Sequence, residues 1–457
     1  MLRLRYSYSN EFRILVRYNR FVQLTFHTLK KKFQGHSGKI GILGLGYVGL
    51  PLACEFAKTG FTVTGFEIDA VKVKNLLSGK SYVGDIESRH VRELVKTRRF
   101  TATTDFAKLR AMDAIFICVP TPLNKTKDPD VSYIDQATHK ISGALRPGQL
   151  IVLESTTYPG TTREKILPML EGKGLKVGQD IFLAFSPERI DPGNKQYQLS
   201  NTPKVVGGIT KLCKDLAVIL YSQIVKQVVP VSSVEAAELT KILENTFRAV
   251  NIGLVNEITM ICDKLGLSAW EVIETASTKP YGFMPFYPGP GLGGHCIPVD
   301  PHYLSWKMKS LNFAARFIEL AAEINSHMPD FTVNKIIRSL NQRKKSINGS
   351  KIIVLGVAYK ANVADMRESP ALDVIHLLLQ MGAVVSFHDP YVASIIVDNV
   401  KMTNRPYSTR LLSQSDAVVI LTAHSVFNPK EILDHSNLVI DTRNMLRGLK
   451  ADHLIRL

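Results

Sequence analysis

The feature that most constrains this 457-residue chain is a glycine motif, Gly44-Leu-Gly46-Tyr-Val-Gly49, which stands between a short apolar run and a helix-forming stretch. In such a motif the first glycine permits a tight turn, and the second lets a phosphate approach the backbone at the helix N-terminus. The third allows the helix to pack closely on the strand. Glu67 ends the next apolar run, at the spacing of an acid that binds a ribose diol. These residues predict an NAD-binding turn rather than glycines that serve the backbone alone, and the acid disfavours NADP.

Short apolar runs alternate with helical stretches after this motif, which is typical of parallel sheets with crossover helices. The predicted strands of a first unit are residues 39–43, 61–66, 113–119, 150–154, 181–185 and 225–229. A second series comprises residues 351–355, 383–388, 416–421 and 438–441, with a helix that opens at Ser369-Pro370. Between the series, Ser232-Ser-Val-Glu235 has the pattern of a capping box and begins about thirty residues of helical periodicity that end at Leu265.

This organisation predicts the α/β fold class, with two Rossmann-like doubly wound domains joined by a long central helix and a helical segment. We expect a basic extension outside the core fold at residues 1–37 and an NAD-binding domain at residues 38–231. A central helical domain with dimerisation and loop residues follows at 232–330, and the second Rossmann-like domain at 331–457. A helix that joins two domains commonly supports a dimer interface, so we expect a homodimer or a higher homo-oligomer.

The net charge of +17 makes an anionic partner a first hypothesis: nucleic acid, a membrane surface or a phosphorylated small molecule. Much of the excess lies in the first 38 residues, where one acid, Glu11, stands against Arg3, Arg5, Arg13, Arg17, Arg20, Lys30, Lys31 and Lys32. A nucleic-acid arm, a transit peptide and translated upstream sequence all fit this segment. We favour an extension without a binding role, and therefore expect no nucleic-acid partner.

No run of about 18 apolar residues occurs, and the first residues lack the apolar centre of a secretory signal. We therefore expect a cytoplasmic protein with no membrane partner. Five cysteines, odd in number and widely spaced, do not make a disulfide framework.

Cys296 is the cysteine with a reactive context, because it ends the glycine-rich loop 291–296. Because its glycines have no side chains, one side of this loop would let a substrate approach the thiol closely. Asp300 is placed to act as its acid–base partner. A zinc site that also uses His295 and His302 is the alternative, but adjacent His and Cys ligands fit one tetrahedral metal poorly, so we expect no metal. The other cysteines lack this loop: we expect inert buried thiols at Cys54, Cys118 and Cys262, while Cys213 stays open.

Two further groups have a functional and a structural interpretation. Lys241 and Asn245 share one face of the long helix, where a solvated face with Glu238 or Glu244 as a partner is slightly favoured. Glu188 ends a predicted strand at the edge where sites of open α/β sheets form. A general base and a strand-end salt bridge explain it equally well.

The sequence also resembles the UDP-glucose/GDP-mannose dehydrogenase family from about residue 38 to its end. The resemblance is carried by GLGYVGLPLA at 44–53, VPTPL at 119–123, ESTTYPGTT at 154–162, FSPERIDPGN at 185–194, ELTKILENT at 238–246, GLGGHCIPVDP at 291–301, GVAYK at 356–360 and DMRESPA at 365–371. The run 286–300 is most similar to the branch that oxidises UDP-N-acetylglucosamine.

This resemblance implies two hydride transfers from the sugar C6 alcohol to two NAD⁺, which make a uronic acid for surface polysaccharide. It assigns the nucleophile to Cys296, which forms a thiohemiacetal and then a thioester. It gives oxyanion stabilisation to Lys241 and Asn245, activation of a water to Asp300 and Thr121, and assistance of hydrolysis to Glu188. For Lys241 and Glu188, the resemblance therefore favours the functional interpretation over the structural one.

The resemblance also implies the ligand-binding residues of the two Rossmann-like domains. It assigns to NAD the residues Gly44, Gly46, Tyr47, Val48, Gly49, Glu67, Lys72, Thr121 and Arg367. It makes the second domain the UDP-binding domain and assigns to the UDP-sugar the residues Glu188, Lys241, Asn245, Tyr287, Gly293, Tyr359, Lys360 and Arg443.

The aromatic and proline-rich segment 281–290 argues for an N-acetylated sugar, with UDP-N-acetylglucosamine first and UDP-glucose and UDP-N-acetylmannosamine as alternatives. Asn251 stands where the UDP-glucose branch often has an arginine. Residues from about Val22 resemble the short helix that precedes the first strand in this branch. A rival hypothesis from another class is a non-catalytic nucleotide-binding protein whose basic arm binds nucleic acid or a membrane.

Overall fold

The computed structural model describes residues 22–124, 128–191, 194 and 196–457, and its contacts divide the chain into two units, 1–243 and 244–457. The strands of the first unit are β1 (Lys39–Leu43), β2 (Thr62–Phe66), β3 (Phe100–Thr103), β4 (Ala114–Ile117), β5 (Leu150–Leu153), β6 (Phe182–Phe185), β7 (Lys204–Gly208) and β8 (Val228–Pro230). Its helices are α1 (residues 22–34), α2 (Gly49–Lys58), α3 (Ala70–Leu77), α4 (Ser88–Lys96), α5 (Ser132–Ala144), α6 (Leu167–Glu171) and α7 (Lys211–Tyr221). Short 3₁₀ turns lie at Phe106–Ala111 and Leu199–Asn201, and a π-helical turn lies at Thr162–Ile166.

The eight strands of this unit form one sheet in the order β3-β2-β1-β4-β5-β6-β7-β8. All neighbouring pairs are parallel except β6 and β7, which run antiparallel. The strand order reverses direction between β1 and β4, because the chain first moves outward to β2 and β3 and then returns. In open α/β sheets ligands bind beyond the carboxyl ends of the strands at such a reversal.

The long helix α8 (Val234–Leu265) confirms the predicted helix and contains the boundary between the two units. Its N-terminal cap differs from the prediction. The Ala236 N–H donates to the hydroxyl of Ser233, not Ser232, and the Glu235 carboxylate is paired with Arg163 instead of closing a capping box. The cap therefore lies one residue later than the sequence pattern indicates.

The second unit is a smaller α/β structure. Its helices are α9 (Ala269–Ala276), α10 (Asp300–Lys309), α11 (Arg316–Ser326), α12 (Met328–Gln342), α13 (Pro370–Gln380), α14 (Thr409–Ser413) and α15 (Pro429–His435). Its strands are β9 (Lys351–Leu355), β10 (Val384–His388), β11 (Ser394–Val397), β12 (Val400–Thr403), β13 (Ala417–Ile420), β14 (Val439–Asp441) and β15 (Leu454–Arg456). A parallel sheet has the order β10-β9-β13-β14-β15, and β11 and β12 form a separate antiparallel ribbon. The predicted fold class is confirmed.

The segment before β1 requires a correction, because residues 1–37 were predicted to lie outside the core fold. Helix α1 buries an apolar stripe in the core of the first unit, formed by Phe26, Leu29 and Phe33. Lys32 adds an ion pair to the buried carboxylate of Asp113, with 2.8 Å between Nζ and Oδ1. The part of the segment from residue 22 onward is therefore packed into the first unit, as the family resemblance suggested. Residues 1–21, which carry the rest of the predicted extension, lie outside the described residues.

Candidate active site

The glycine motif forms the turn from β1 into α2 at the point where the strand order reverses. Gly44 has a φ of +84°, which favours glycine, and its N–H donates to the carbonyl of Phe66 at the end of β2. A Cβ on Gly49 would overlap the carbonyl oxygen of Gly44, so the third glycine is required for close packing of α2 on the turn. By contrast, a Cβ on Gly46 would meet no atom within 4 Å. The open space beside Gly46, at the start of α2, fits the approach of a pyrophosphate to the backbone.

Glu67 follows β2 and is directed at the same turn. It is 8% exposed; its Oε2 accepts the N–H of Leu45 at 3.2 Å, while Oε1 accepts the N–H groups of Ile68 and Asp69. The carboxylate is thus fixed beside the glycine turn at the position where a ribose diol is bound in dinucleotide folds.

The other residues assigned to NAD lie around this turn or beyond the neighbouring strand. Tyr47 is 39% exposed and Val48 is half-buried at the start of α2. Lys72, on α3, has its Nζ 5.6 Å from the ring centroid of Tyr82. Thr121 is half-buried four residues after β4, on the other side of the strand-order reversal. Tyr82 was missed by the sequence reasoning, although its hydroxyl donates to the carbonyl of Leu45 and helps to hold the glycine turn.

A buried ionic cluster lies beyond the ends of β5 and β6. It consists of Glu154, Glu188, Lys204 and Tyr221, and is named the Glu188 cluster here. The Lys204 Nζ is 2.6 Å from Glu154 Oε2 and 3.2 Å from Glu188 Oε2, and the Tyr221 hydroxyl donates to Glu154. Glu188 therefore makes a salt bridge, as one of its two sequence interpretations required. The sequence did not predict Lys204 as the partner of Glu188, because strand β7, which begins at Lys204, was not predicted.

Burial dominates the electrostatics of this cluster. Burial raises the pKa of Glu154 to about 7, although the charge of Lys204 acts in the opposite direction. Burial also raises the pKa of Tyr221 well above its usual range, so its hydroxyl stays a donor. For Lys204 burial acts to lower the pKa, but the charges of Glu154 and Glu188 outweigh it and raise the pKa. The ammonium is thus kept charged in a buried site.

Lys241 lies on α8, one turn after a second buried acid. That acid, Glu238, accepts the N–H groups of Gly160 and Thr162 and the Thr162 hydroxyl at 2.6–2.9 Å, and burial raises its pKa to about 7. Lys241 is only 8% exposed and forms no hydrogen bond or ion pair with any residue in the described ranges. The interpretation of Lys241 as part of a solvated helix face, with Glu238 or Glu244 as its partner, is therefore wrong. A buried ammonium without a carboxylate is costly and is typical of a site that binds negative charge.

In the second unit, Cys296 lies four residues before α10 and is half-buried, whereas Cys54, Cys118, Cys213 and Cys262 are buried. The Cys296 carbonyl accepts the N–H groups of Val299 and Asp300, which forms the turn into the helix. Asn245 donates through Nδ2 to Asp300 Oδ2 at 2.5 Å, and the two side chains are 5% and 2% exposed. The amide thus holds the Asp300 carboxyl group in a fixed orientation at the N-terminus of α10.

The glycines before Cys296 have a different role from the one predicted. A Cβ on Gly293 or Gly294 would lie within 3 Å of side-chain atoms of Tyr359, and one on Gly291 would lie 2.9 Å from Pro370. The Gly294 N–H also donates to the carbonyl of Arg367. The space that a side chain would take is thus filled by protein and is not open to a substrate. These glycines are needed for close packing of the loop within the second unit.

Residues assigned to the UDP-sugar follow β9 and β14 of the second sheet. Its strand order reverses between β9 and β13, and Tyr359 and Lys360 are half-buried in the loop after β9. Arg443, after β14, donates through Nε to the carbonyl of Leu421 at 2.9 Å. Burial lowers its pKa to about 10, with Asp441 opposing the shift. Parallel strands thus bring these residues to one edge, where an anionic nucleotide is expected.

A buried pair in the second unit, Asp389 and His424, holds the loop after β9. The Asp389 Oδ2 accepts the N–H groups of Val357 and Ala358 and lies 3.0 Å from His424 Nε2. His424 Nδ1 accepts the N–H of Asn362, so Nε2 is the ring nitrogen that donates to Asp389. Burial acts to raise the pKa of Asp389, but its hydrogen bonds outweigh burial and lower it. Sequence reasoning missed this pair because its members follow two different strands, β10 and β13, which only the sheet brings together.

Arg367 and Tyr287 have local partners. Arg367 makes a bidentate ion pair with Asp365, with Nε to Oδ1 at 3.0 Å and Nη2 to Oδ2 at 2.6 Å. Burial acts to raise the pKa of Asp365, but the hydrogen bonds from Arg367 outweigh it and lower the pKa. Tyr287 is 48% exposed and stacks on Trp270, with 5.9 Å between ring centroids.

The described ranges contain neither a cluster of metal ligands nor a helix that could span a membrane. No group of three or more His, Cys, Asp or Glu side chains there is arranged to hold a metal ion. Among the same residues, no helix has both the length and the apolar character needed to cross a bilayer.

Comparison with known families gives one consistent result over the whole fold. Residues 38–225, 235–327 and 353–448 match the NAD binding domain, the central domain and the UDP binding domain of the UDP-glucose/GDP-mannose dehydrogenase family. With the glycine turn and the acid after β2, these matches define an NAD-dependent oxidoreductase with a second nucleotide-binding domain. The chain belongs to the UDP-glucose/GDP-mannose dehydrogenase family, and it acts on a UDP-sugar.

Similar proteins cover nearly the full chain. It is 32% identical to a UDP-N-acetyl-D-glucosamine 6-dehydrogenase of Pseudomonas aeruginosa, over 91% of this chain and 98% of the relative. It is 35% identical to a UDP-N-acetyl-D-mannosamine dehydrogenase of Methanococcus maripaludis, over 89% and 93% respectively. The structure of a UDP-D-ManNAc dehydrogenase of Pyrococcus horikoshii matches with a TM-score of 0.83 at 32% identity, over 92% and 98%.

Proposed function

We propose that this enzyme oxidises the C6 hydroxyl of a UDP-N-acetylhexosamine to a carboxylate through a thioester on Cys296. The observation that carries the proposal is the half-buried Cys296 thiol in the turn that leads into α10, where the Cys296 carbonyl accepts the N–H of Asp300. An enzyme that makes an acid from an alcohol needs a covalent hold on the intermediate aldehyde, and a thiolate supplies it. A dehydrogenase that stopped at the aldehyde would have no need of this thiol.

The reaction has four balanced steps. The sugar alcohol loses its hydroxyl proton to the enzyme and its C6 hydride to bound NAD⁺, which gives the aldehyde. The Cys296 thiolate adds to the aldehyde carbon, and the oxygen takes a proton as the thiohemiacetal forms. Loss of that proton and of a second hydride, to a second NAD⁺, leaves a thioester. Water then cleaves the C–S bond, releasing the uronate and the thiol, so that each sugar yields two NADH.

The charged and polar residues have distinct tasks in these steps. Lys241, buried without a carboxylate partner among the described residues, supplies positive charge to the oxyanions on C6, and Asn245 supplies an amide donor. Asp300 and Thr121 order a water and help to activate it, and Glu188 assists hydrolysis.

The remaining site residues bind the two nucleotides. We propose that Tyr359, Lys360 and Arg443 hold the UDP moiety in a domain at residues 331–457. Tyr287 is proposed to contact the sugar through its side chain, and Gly293 through its backbone. Arg367 is proposed to bind the dinucleotide phosphates, which requires its guanidinium to exchange Asp365 for phosphate. The NAD-binding domain at 38–231 and the central domain at 232–330 complete the proposed division.

UDP-N-acetylglucosamine is our first candidate for the sugar. It is supported by the aromatic and proline-rich segment 281–290, in which Phe286 packs edge-to-face on Phe247 and Tyr287 stacks on Trp270. The name of the Methanococcus maripaludis relative gives UDP-N-acetylmannosamine specific support as a second candidate. UDP-glucose is the third. We propose that the enzyme acts in the cytoplasm. Its product, a UDP-uronic acid, would be a precursor of surface polysaccharide.

A panel of UDP-sugars tests both the sugar and the stoichiometry. With limiting UDP-N-acetylglucosamine, UDP-N-acetylmannosamine, UDP-N-acetylgalactosamine or UDP-glucose and excess NAD⁺, we expect two NADH per sugar consumed. We expect the highest kcat/KM with UDP-N-acetylglucosamine, and at least about tenfold lower values without the N-acetyl group. One NADH per sugar with accumulated aldehyde would exclude the thioester route, and a preference for UDP-glucose would exclude the assignment of the acetamido sugar.

We propose that a second copy of the chain covers an exposed apolar face of α8. Phe247, Leu254 and Ile261 recur every seven residues on this helix and are 46%, 53% and 46% exposed. Seven residues make about two helical turns, so these side chains share one face, which matches the seam of paired helices. Light scattering should find a dimer or a larger homo-oligomer.

The Leu254→Glu/Ile261→Glu variant is expected to lower this molar mass towards that of one chain, because it places two carboxylates in an apolar interface. Ile396→Glu is the matched control, since Ile396 is 69% exposed on the β11–β12 ribbon. It should retain the oligomer. A folded double variant with unchanged molar mass would exclude this face.

A further inference from the structure

The Glu188 cluster contains a lysine that none of the proposed chemical steps uses. Lys204 is 2% exposed at the start of β7, and its Nζ contacts two carboxylates, Glu154 and Glu188. One ammonium and two carboxyl groups thus share a buried place, where burial raises the pKa of one of the two, Glu154, to about 7. Removing such groups from water costs several kcal/mol per ion, and apolar residues often replace them without loss of stability. Stability alone does not account for this arrangement.

Both carboxylate oxygens of Glu188 are fixed. Its Oε1 accepts the N–H groups of Arg189 and Ile190 at 2.6 and 2.7 Å, and its Oε2 contacts Lys204 at 3.2 Å. A carboxylate offers about four acceptor positions, so these contacts leave about one position, on Oε2. Glu188 is also the most accessible of the three ionic side chains, at 10% exposed against 0% for Glu154 and 2% for Lys204. A water bound at that last position would have a defined orientation.

Glu154 and Tyr221 hold Lys204 from the other side. Glu154 accepts hydrogen bonds from the Lys204 ammonium and from the Tyr221 hydroxyl, and the Lys204 Nζ lies 5.4 Å from the Tyr221 ring centroid. Tyr221 comes from α7, Glu154 follows β5 and Lys204 begins β7. Three elements of the first unit therefore converge on one ammonium, whose other contact is Glu188.

We propose that Lys204, held by Glu154 and Tyr221, is a positioning residue that fixes Glu188 for hydrolysis of the thioester. This inference rests on the proposed function, in which Glu188 assists that step. The water oxygen forms a bond to the thioester carbon, and the C–S bond breaks with its electron pair on the Cys296 sulfur. The water proton passes to the Glu188 carboxylate. Lys204 touches neither substrate nor water, and it acts through the orientation and charge of Glu188.

The test separates the hydride steps from hydrolysis. Lys204→Met removes the charge while keeping the apolar stem, and Glu154→Gln and Tyr221→Phe weaken the anchor with almost no change of shape. We expect steady-state turnover to fall by about 100-fold in Lys204→Met, because small displacements of a catalytic group have effects of that order. The rapid release of two NADH per site should persist. Intact-protein mass should then show a UDP-uronosyl adduct that is lost when Cys296 is replaced.

Glu188→Gln is the reference variant, and Lys32→Met is the matched control, because Lys32 pairs with the buried Asp113 outside the Glu188 cluster. Lys32→Met should turn over normally. If Glu188→Gln does not accumulate the adduct, the proposed role of Glu188 is wrong. If Glu188→Gln accumulates it but folded Lys204→Met and Glu154→Gln do not, the role of Lys204 is wrong. Should Lys204→Met fail to fold, Glu154→Gln and Tyr221→Phe decide the question: the adduct supports the proposal and wild-type turnover overturns it.

Discussion

Replacement of Cys296 by alanine is expected to lower turnover by about 10⁶-fold, the order found when a serine protease loses its nucleophile. Without the thiol, the aldehyde has no covalent anchor, and the second hydride transfer has no thiohemiacetal to start from. Single-turnover measurements should therefore show at most one NADH per site. The affinity for NAD⁺, measured by calorimetry, should stay close to that of the wild type, since the proposed NAD site lies at the glycine turn of the first unit.

Cys262→Ala is the matched control for this variant. Cys262 lies on α8 in the second unit and is 4% exposed, so its loss affects packing rather than chemistry. We expect a modest fall in thermal stability and normal kcat. A Cys296→Ala enzyme that releases two NADH per sugar at the wild-type rate would remove the thioester mechanism. The family and the NAD dependence would stand in that case.

The sequence predicts the central strands well. These strands are covered on both faces of the sheet, so they appear in the sequence as short, continuous apolar runs. Strands β1 and β9 have the predicted bounds, and each of the other predicted strands overlaps an observed one. The missed strands are β3, β7, β11, β12 and β15. The edge strand β3 has the sequence FTAT, and β7 begins with a lysine and ends with two glycines. Their neighbours in the sheet, rather than their own residues, make them strands.

The N-terminal segment illustrates a pattern that was present but overlooked. Phe26, Leu29 and Phe33 are separated by three and four residues, which places them on one helical face. Lys30, Lys31 and Lys32 lie between Leu29 and Phe33, and they are part of the basic excess that suggests an anionic partner. Because Lys32 is paired with Asp113, part of that charge serves the fold and need not bind a ligand.

The candidate site was predictable in its residue types and not in its contacts. The positions of Cys296 and Asp300, close together in sequence at a helix start, follow from local pattern. Lys204 lies 50 residues from Glu154 and 16 from Glu188, so only the sheet order brings them together. In the same way, the sequence makes Glu238 a plausible partner for Lys241. In the structure, however, the Glu238 carboxylate accepts the N–H groups of Gly160 and Thr162.

Substitutions at two glycines of the turn between β1 and α2 should have different effects, one on cofactor binding and the other on folding. Gly46→Ala adds a methyl group where no atom lies within 4 Å, so we expect an unchanged melting temperature. The methyl group would instead occupy the space proposed for the pyrophosphate and lengthen its hydrogen bonds to the backbone. Loss of one charge-assisted hydrogen bond costs about 1.5–3 kcal/mol, so the Kd for NAD⁺ should rise by about ten- to a hundredfold.

Gly49→Ala is expected to act on the fold itself. Its methyl group would overlap the Gly44 carbonyl oxygen, and because that atom belongs to the backbone, the turn must move. Such strain costs on the order of 3 kcal/mol, and the melting temperature should fall together with NAD⁺ affinity. Circular dichroism melts and calorimetry on both variants would measure the two effects.

Gly143→Ala is the control for adding a methyl group in open space, because Gly143 lies on α5 and its Cβ would also meet nothing within 4 Å. Within a helix this change should leave stability equal or slightly higher, with unchanged NAD⁺ affinity. Wild-type affinity in Gly46→Ala would show that the pyrophosphate does not approach this face of the turn. A normal melting temperature in Gly49→Ala would show that α2 has room to shift away from β1. Since the two glycines stand three residues apart in one motif, opposite outcomes for stability would establish that the motif combines a packing requirement with a binding requirement.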